Sequence, residues 1–201
     1  MVSFIEGNKI ENEPNLLFDK SDSSAVSPQV YWGLRRFGPF DKSAGEIRIG
    51  VIAPASSMDR VKSLLNELEN GVPIFPGGMQ QFFRCNLAVA QECIVSGNTA
   101  DDYENAGVDF VSVADQREVD VVLVFIPKTG RYFSNTPYYR LKAVLATHGF
   151  ASQMITDMTF SNLKWSYLNL ASAIFAKAGH IPWVLESEMP NTGVIFGNFP
   201  L

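Results

Sequence analysis

From Glu46 onward, short β-branched runs alternate with stretches that carry an apolar helical stripe. Ile47, Ile49, Val51 and Ile52 form a strand ending at Ala53-Pro54. Val61, Leu64, Leu65 and Leu68 then recur at the i, i+3, i+4, i+7 spacing of one helix face, closed by Gly71 and Pro73. Val121 to Ile126 is a continuous apolar run, as in strands buried on both faces. Asn135-Thr136-Pro137 supplies a cap and a first-turn proline for a helix to about Thr147, stopped by Gly149. Ala151 to Ile155 reads as a strand. Ser161 or Asn162 caps a helix whose stripe is Leu163, Tyr167, Leu170, Ala171, Ile174, Phe175 and Ala178, ended by Gly179. Ile181 to Leu185 and Gly193 to Gly197 read as two more strands. In the middle, Gln80 to Cys85 and Cys93 to Val95 are strand candidates, and Gly97 to Gly107 shows no strong period. The order predicts an α/β fold, Rossmann-like, with a largely parallel sheet.

Residues 1–44 have a different grammar. Asn, Asp, Ser and Pro punctuate Glu11 to Pro28, and Gly33 to Phe40 reads as a turn-rich arm. At 201 residues the chain suits one domain, or one domain plus a piece of another. Its 46% hydrophobic and 18% charged residues exclude disorder. Val121 to Pro127, the longest apolar run, is strand-sized and too short to cross a membrane. The first residues carry Glu6, Lys9, Glu11 and Glu13 and lack the apolar core of a secretory signal. With only Cys85 and Cys93, the expectation is a reducing, cytoplasmic setting and no membrane partner.

The net charge is −5, but it is unevenly spread. Lys128, Arg131, Arg140, Lys142, Lys164 and Lys177 face a single acid, Asp157, between residues 128 and 177, so that stretch carries +5 and the remainder −10. An anionic ligand for the second half is the natural inference. Familiar catalytic signatures are missing. No G-x-G-x-x-G follows a strand, no G-x-x-x-x-G-K-[ST] occurs, and no G-x-S-x-G elbow is present. Cys85 and Cys93 lack zinc-pair spacing, and His148 and His180 have no Cys or carboxylate neighbour at ligand spacing. The expectation is a binding module and not an autonomous enzyme.

What remains is a basic and amide-bearing set. Tyr138 and Lys142 are i, i+4 on one helix face. Gln153 lies in the following strand, and Asn169 and Lys177 lie two turns apart on the next helix. A terminal phosphate at the strand carboxyl edge, where helix N-termini gather, would take a hydroxyl, an amide and two ammonium groups from this set.

Tyr138-x-x-x-Lys142, Gln153, Asn169 and Lys177-Ala178-Gly179 followed by Pro182-Trp183 resemble the MID domain of Argonaute/Piwi proteins. Gly33 to Phe40 resembles the N-terminal arm of short prokaryotic members that begin directly at MID. The resemblance implies an arm over 1–44 associated with a PIWI domain, a MID domain over 45–185, and the start of PIWI over 186–201. It implies that Tyr138, Lys142, Gln153 and Lys177 hold the 5′-phosphate of a guide, RNA more than DNA, and that Met154 and Asn169 touch its first nucleotide. Complementary invading DNA, the rest of PIWI and an associated effector protein are the implied partners. Mg2+ is implied at the guide phosphate of the complete protein. Because PIWI should continue well past Gly197, the chain is expected to be a fragment, with arm and tail poorly supported. Gly197 is followed by Asn198, Phe199 and Pro200, with no acid, which implies a non-slicing form. The alternative is a Rossmann-like sensor of a small anion or a protein partner, built on Ser56-Ser57 or Gly77-Gly78 and indifferent to nucleic acid.

Overall fold

The computed structural model of the chain describes residues 14–127 and 136–187. Its centre is a four-stranded, all-parallel sheet. Strand β3 (Glu46–Pro54) pairs with β6 (Asn86–Val95) on one side and β7 (Val121–Phe125) on the other, and β7 pairs with β8 (Ser152–Ile155), giving the order β6-β3-β7-β8. Each strand feeds at least one helix. α2 (Ala55–Asn70) follows β3, α4 (Ala100–Val113) follows β6, and α5 (Pro137–Thr147) follows β7. The short α6 (Asp157–Ser161) and then α7 (Leu163–Lys177) follow β8.

The strands are apolar because both faces are covered. In β3, Ile47, Ile49, Val51 and Ala53 enter one core beneath α2 and α7, and Ile52 enters the other beneath α4 and α5. Likewise Val121, Leu123 and Phe125 of β7 face the first core, and Val122 and Val124 the second. The period of two along each strand thus separates two layers of helix. At Gly50 a Cβ would lie 2.5 Å from the Phe110 ring, so α4 approaches β3 only because no side chain is there. No helix among the described residues is long and apolar enough to cross a membrane.

The stripes assigned to α2 and α7 do face the core: Val61, Leu64, Leu65 and Leu68, and Tyr167, Leu170, Ala171, Ile174 and Phe175, are buried. Three local readings are corrected. Gln80 to Cys85 is not a strand: α3 (Gly78–Phe83) occupies most of it, after a hairpin of β4 (Gly71–Val72) and β5 (Phe75–Pro76). The stretch without a strong period is α4, started by a capping box in which Thr99 and Asp102 each bond the other's backbone N–H. Its buried face is Tyr103, Ala106, Gly107 and Phe110, and small residues at two of those four positions blur the stripe. Third, Ile181 to Leu185 adds no strand to the parallel sheet. Only β9 (Val184–Leu185) forms there, antiparallel to β1 (Leu16–Leu17), which also pairs with β2 (Val26–Ser27). The strand expected at Gly193 to Gly197 and the residues after it lie outside the described residues.

The described part of the arm is well supported, contrary to expectation. Phe18, Ala25, Leu34 and Ala44 are buried in the core that contains Ile47 and Phe175. Leu34 belongs to α1 (Val30–Phe37), where Gly33 lets the Phe18 ring lie against the helix backbone; a Cβ there would be 2.2 Å from that ring. Phe40 and Asp41 donate backbone N–H groups to Pro182 and Ile181, so arm and post-α7 segment are tied together.

Candidate anion site and an aromatic groove

The β7–α5 connection ends at Thr136, and Pro137 starts α5 with its φ already helical. One turn in, Tyr138 and Lys142 lie side by side. Lys142 Nζ is 3.2 Å from Tyr138 Oη, to which it donates, and 5.3 Å from the Tyr138 ring centroid. Both side chains are exposed. Arg140, on the other side of the turn, reaches Asp101 and Glu104 of α4, so α5 is fixed against its neighbour while Tyr138 and Lys142 remain outward.

The second half comes from α7 and β8. Because α7 runs antiparallel to β8, its last turn returns to the start of the strand. There Lys177 Nζ donates to the Ser152 carbonyl and, at 2.7 Å, to Gln153 Oε1. Gln153 spends its own donor on the Met154 carbonyl at 2.9 Å, which fixes its oxygen toward the ammonium. Lys177 is therefore at the amino-terminal end of β8, while Tyr138 and Lys142 stand in the first turns of α5, the helix that follows β7.

Burial holds the Lys177 ammonium below the usual lysine range, and the Lys142 charge adds to the depression. Neither lysine has a carboxylate partner among the described residues. A half-buried cation with only neutral oxygens to donate to is an arrangement that an anion completes. The donors offered are ammonium, phenol and carboxamide. None is an anionic oxygen of the kind that holds Mg2+, and the described residues contain no cluster of three or more His, Cys, Asp or Glu suited to a metal.

Asn169 is not brought to this set. Eight residues before Lys177, it lies roughly 12 Å back along the helix and about 80° around it. Its Nδ2 donates to the Trp165 carbonyl at 3.2 Å, and it lines a separate groove of 490 Å³ with Tyr31, Phe75, Trp165 and Leu168. Sequence reasoning did not find that groove, nor the Ser152 carbonyl. The available signal was Trp165 itself, a large aromatic off the apolar stripe and 73% exposed.

Of the residues of the alternative reading, Ser56 and Ser57 lie in the first turn of α2, and the two glycines are closely packed. At Gly78 a Cβ would meet the Glu69 carbonyl oxygen at 2.3 Å, so the Gly77-Gly78 turn is packed on α2. A 200 Å³ cavity between α2 and β6 includes Lys62 and Glu69, but Lys62 is paired with Glu92 at 2.7 Å.

No protein-family model and no curated protein matches the chain. Solved structures do. A crystal structure of Aa-Ago with externally bound siRNA is similar over 89% of this chain and 25% of that one, with a TM-score of 0.62 and 21% identity. The Argonaute protein from Methanocaldococcus jannaschii is similar over 90% and 28%, with a TM-score of 0.56 and 17% identity. The fold is Argonaute-like. The chain spans about a quarter of the length of these Argonautes, and at this identity the likeness is one of architecture. It agrees with the parallel, Rossmann-like sheet expected of a MID domain.

Proposed function

We propose that the chain is the guide-anchoring module of a short, non-slicing prokaryotic Argonaute, with a MID domain over 45–185, its arm before it and the start of PIWI after it. In this reading Tyr138, Lys142, Gln153 and Lys177 hold the 5′-phosphate of a small guide, RNA by preference. The Met154 backbone meets the first nucleotide. The anchored guide then recognises complementary invading DNA, and an associated effector protein acts on the result. The chain itself performs no cleavage. The observation that carries the proposal is Lys177, a half-buried ammonium that donates only to the Ser152 carbonyl and the Gln153 amide oxygen and has no carboxylate partner among the described residues, with Lys142 beside Tyr138 as a second lysine without one. The Argonaute-like fold supports the same reading.

The mechanism is simple electrostatics. A terminal phosphate carries more charge than an internal phosphodiester and presents three oxygens. Lys142 and Lys177 neutralise it as point charges, the Tyr138 hydroxyl donates, and Gln153 keeps the Lys177 ammonium in place until the anion arrives. Each charge-assisted bond contributes about 1.5–3 kcal/mol. The test is fluorescence anisotropy with one short RNA carrying either a 5′-phosphate or a 5′-hydroxyl. At least tenfold tighter binding of the phosphorylated strand is expected. Equal affinity of folded protein for both strands overturns the proposal.

A further inference from the structure

The groove beside Trp165 has a chemistry of its own. It runs between α7, α1 and the β4–β5 hairpin, on the flank of α7 away from the lysine site. Trp165 is about 18 Å from Lys177 along the helix and roughly 120° around it. The floor is apolar and preformed. Tyr31 packs on Phe82 with ring centroids 5.2 Å apart, and Phe82 packs on Phe75 at 4.5 Å. Ile74 and Leu168 form aliphatic walls. Around the mouth, Trp165 is 73% exposed and Trp32, packed edge-on against Tyr31, is 56% exposed.

Lys164 is the charged residue that lines the groove among the described residues, and Glu67 lies behind it, accepting from the Tyr167 hydroxyl at 2.6 Å. The Lys164 ammonium lies 5.2 Å from the Trp165 ring centroid, and the Arg35 guanidinium 5.7 Å from that of Trp32. No Asp or Glu among the described residues lines the groove. Asn169 adds a carboxamide oxygen that accepts no bond from a described residue, while its nitrogen is held by Trp165.

We propose that this groove docks an acidic polypeptide segment bearing one large apolar or aromatic anchor. The volume of 490 Å³ suits a bulky side chain with its flanking backbone. Lys164 at the rim selects an Asp or Glu beside the anchor, and the Asn169 oxygen accepts an N–H from the segment. Exposed tryptophans around a preformed apolar pocket are how a binding hot spot is built. A nucleic-acid strand fits less well. Aliphatic walls at Ile74 and Leu168 offer bases no second stacking face, and a strand anchored at Lys177 has to cross α7 to arrive.

Selection of a displayed random peptide library on the whole chain, followed by anisotropy of the enriched peptides, tests this. The expected result is a consensus of Trp, Phe or Leu flanked by Asp or Glu. Its affinity should fall at least tenfold in Trp165→Ala and in Lys164→Glu, and should stay unchanged in Lys142→Ala. Both groove residues are exposed, and thermal melts confirm that the variants fold. The proposal is overturned by three results: no enrichment, enriched peptides without acidic residues, or affinity indifferent to both groove variants. It is also overturned if a 5′-hydroxyl RNA loses binding in Trp165→Ala but not in Lys142→Ala, which assigns the groove to nucleic acid. Failure of 5′-phosphate recognition leaves this inference standing, because the two sites share no residue.

Discussion

The Lys177 ammonium donates to the Gln153 carboxamide oxygen at 2.7 Å, tying the last turn of α7 to the opening residues of β8. Carboxylates commonly stabilise half-buried lysines; here a neutral amide and a backbone carbonyl take that place. The bond orients the cation but leaves its charge uncompensated.

That charge has a measurable cost. The folded-state pKa of Lys177 lies below the ordinary lysine value of 10.5. Between the lowered value and 10.5 the unfolded chain binds more protons, so stability rises with pH across that window. Below the lowered value the cost is carried in full. Lys177→Met is therefore expected to be at least as stable as the parent at neutral pH, and to gain less as pH approaches 10.5. Urea denaturation of both proteins across that range checks it.

Phosphate binding should show the opposite trend, because it needs the ammonium. Affinity for a 5′-phosphorylated strand is expected to fall as pH rises through the lowered Lys177 pKa, before ordinary lysines titrate. Anisotropy against pH, with Lys177→Arg as the variant that stays charged, separates this from a general loss of basic charge. A parallel decline in both proteins contradicts the assignment.

The two helix-opening threonines should respond differently. Thr99 completes a capping box on α4, so Thr99→Ala is expected to cost about 1 kcal/mol. Thr136, before α5, has a buried hydroxyl without a hydrogen-bond partner among the described residues. Thr136→Val keeps the shape and removes the unsatisfied group, and is expected to stabilise by about 1 kcal/mol. Chemical denaturation midpoints decide both.

The arm is a structural part of the domain. Gly33→Ala places a methyl where the Phe18 ring sits, and overpacking of this kind costs roughly 1–3 kcal/mol. A lower unfolding midpoint is expected, with faster proteolysis near residues 14–30. An unchanged midpoint contradicts the packing.

Much of this was legible from the chain. α2 and α7 carry long apolar stripes of large residues, and β7 is apolar throughout, so periodicity alone located them. α4 was not legible because Ala106 and Gly107 stand at stripe positions while Val108 and Val113 point outward, at 50% and 71% exposure. Val184-Leu185 looked like a fifth parallel strand, but its partner, Leu16-Leu17, is 167 residues earlier, and such pairing leaves no local signal. Within the candidate site, Tyr138 and Lys142 were readable as an i, i+4 pair. The Lys177–Gln153 bond depends on the direction of α7 relative to β8, and the placement of Asn169 on the helix's rotation, which only the fold fixes.

The most direct test of the account is a cycle combining Lys142→Ala, Lys177→Ala and the presence or absence of the 5′-phosphate on one RNA, read by anisotropy at constant salt. Each substitution is expected to lower affinity for the phosphorylated strand about tenfold or more, at about 1.4 kcal/mol per decade, and to leave the 5′-hydroxyl strand nearly unaffected. With both lysines gone, the preference for phosphate should disappear. If the substitutions weaken both strands equally, the pair is only part of a general basic face, and the guide-anchoring reading is contradicted.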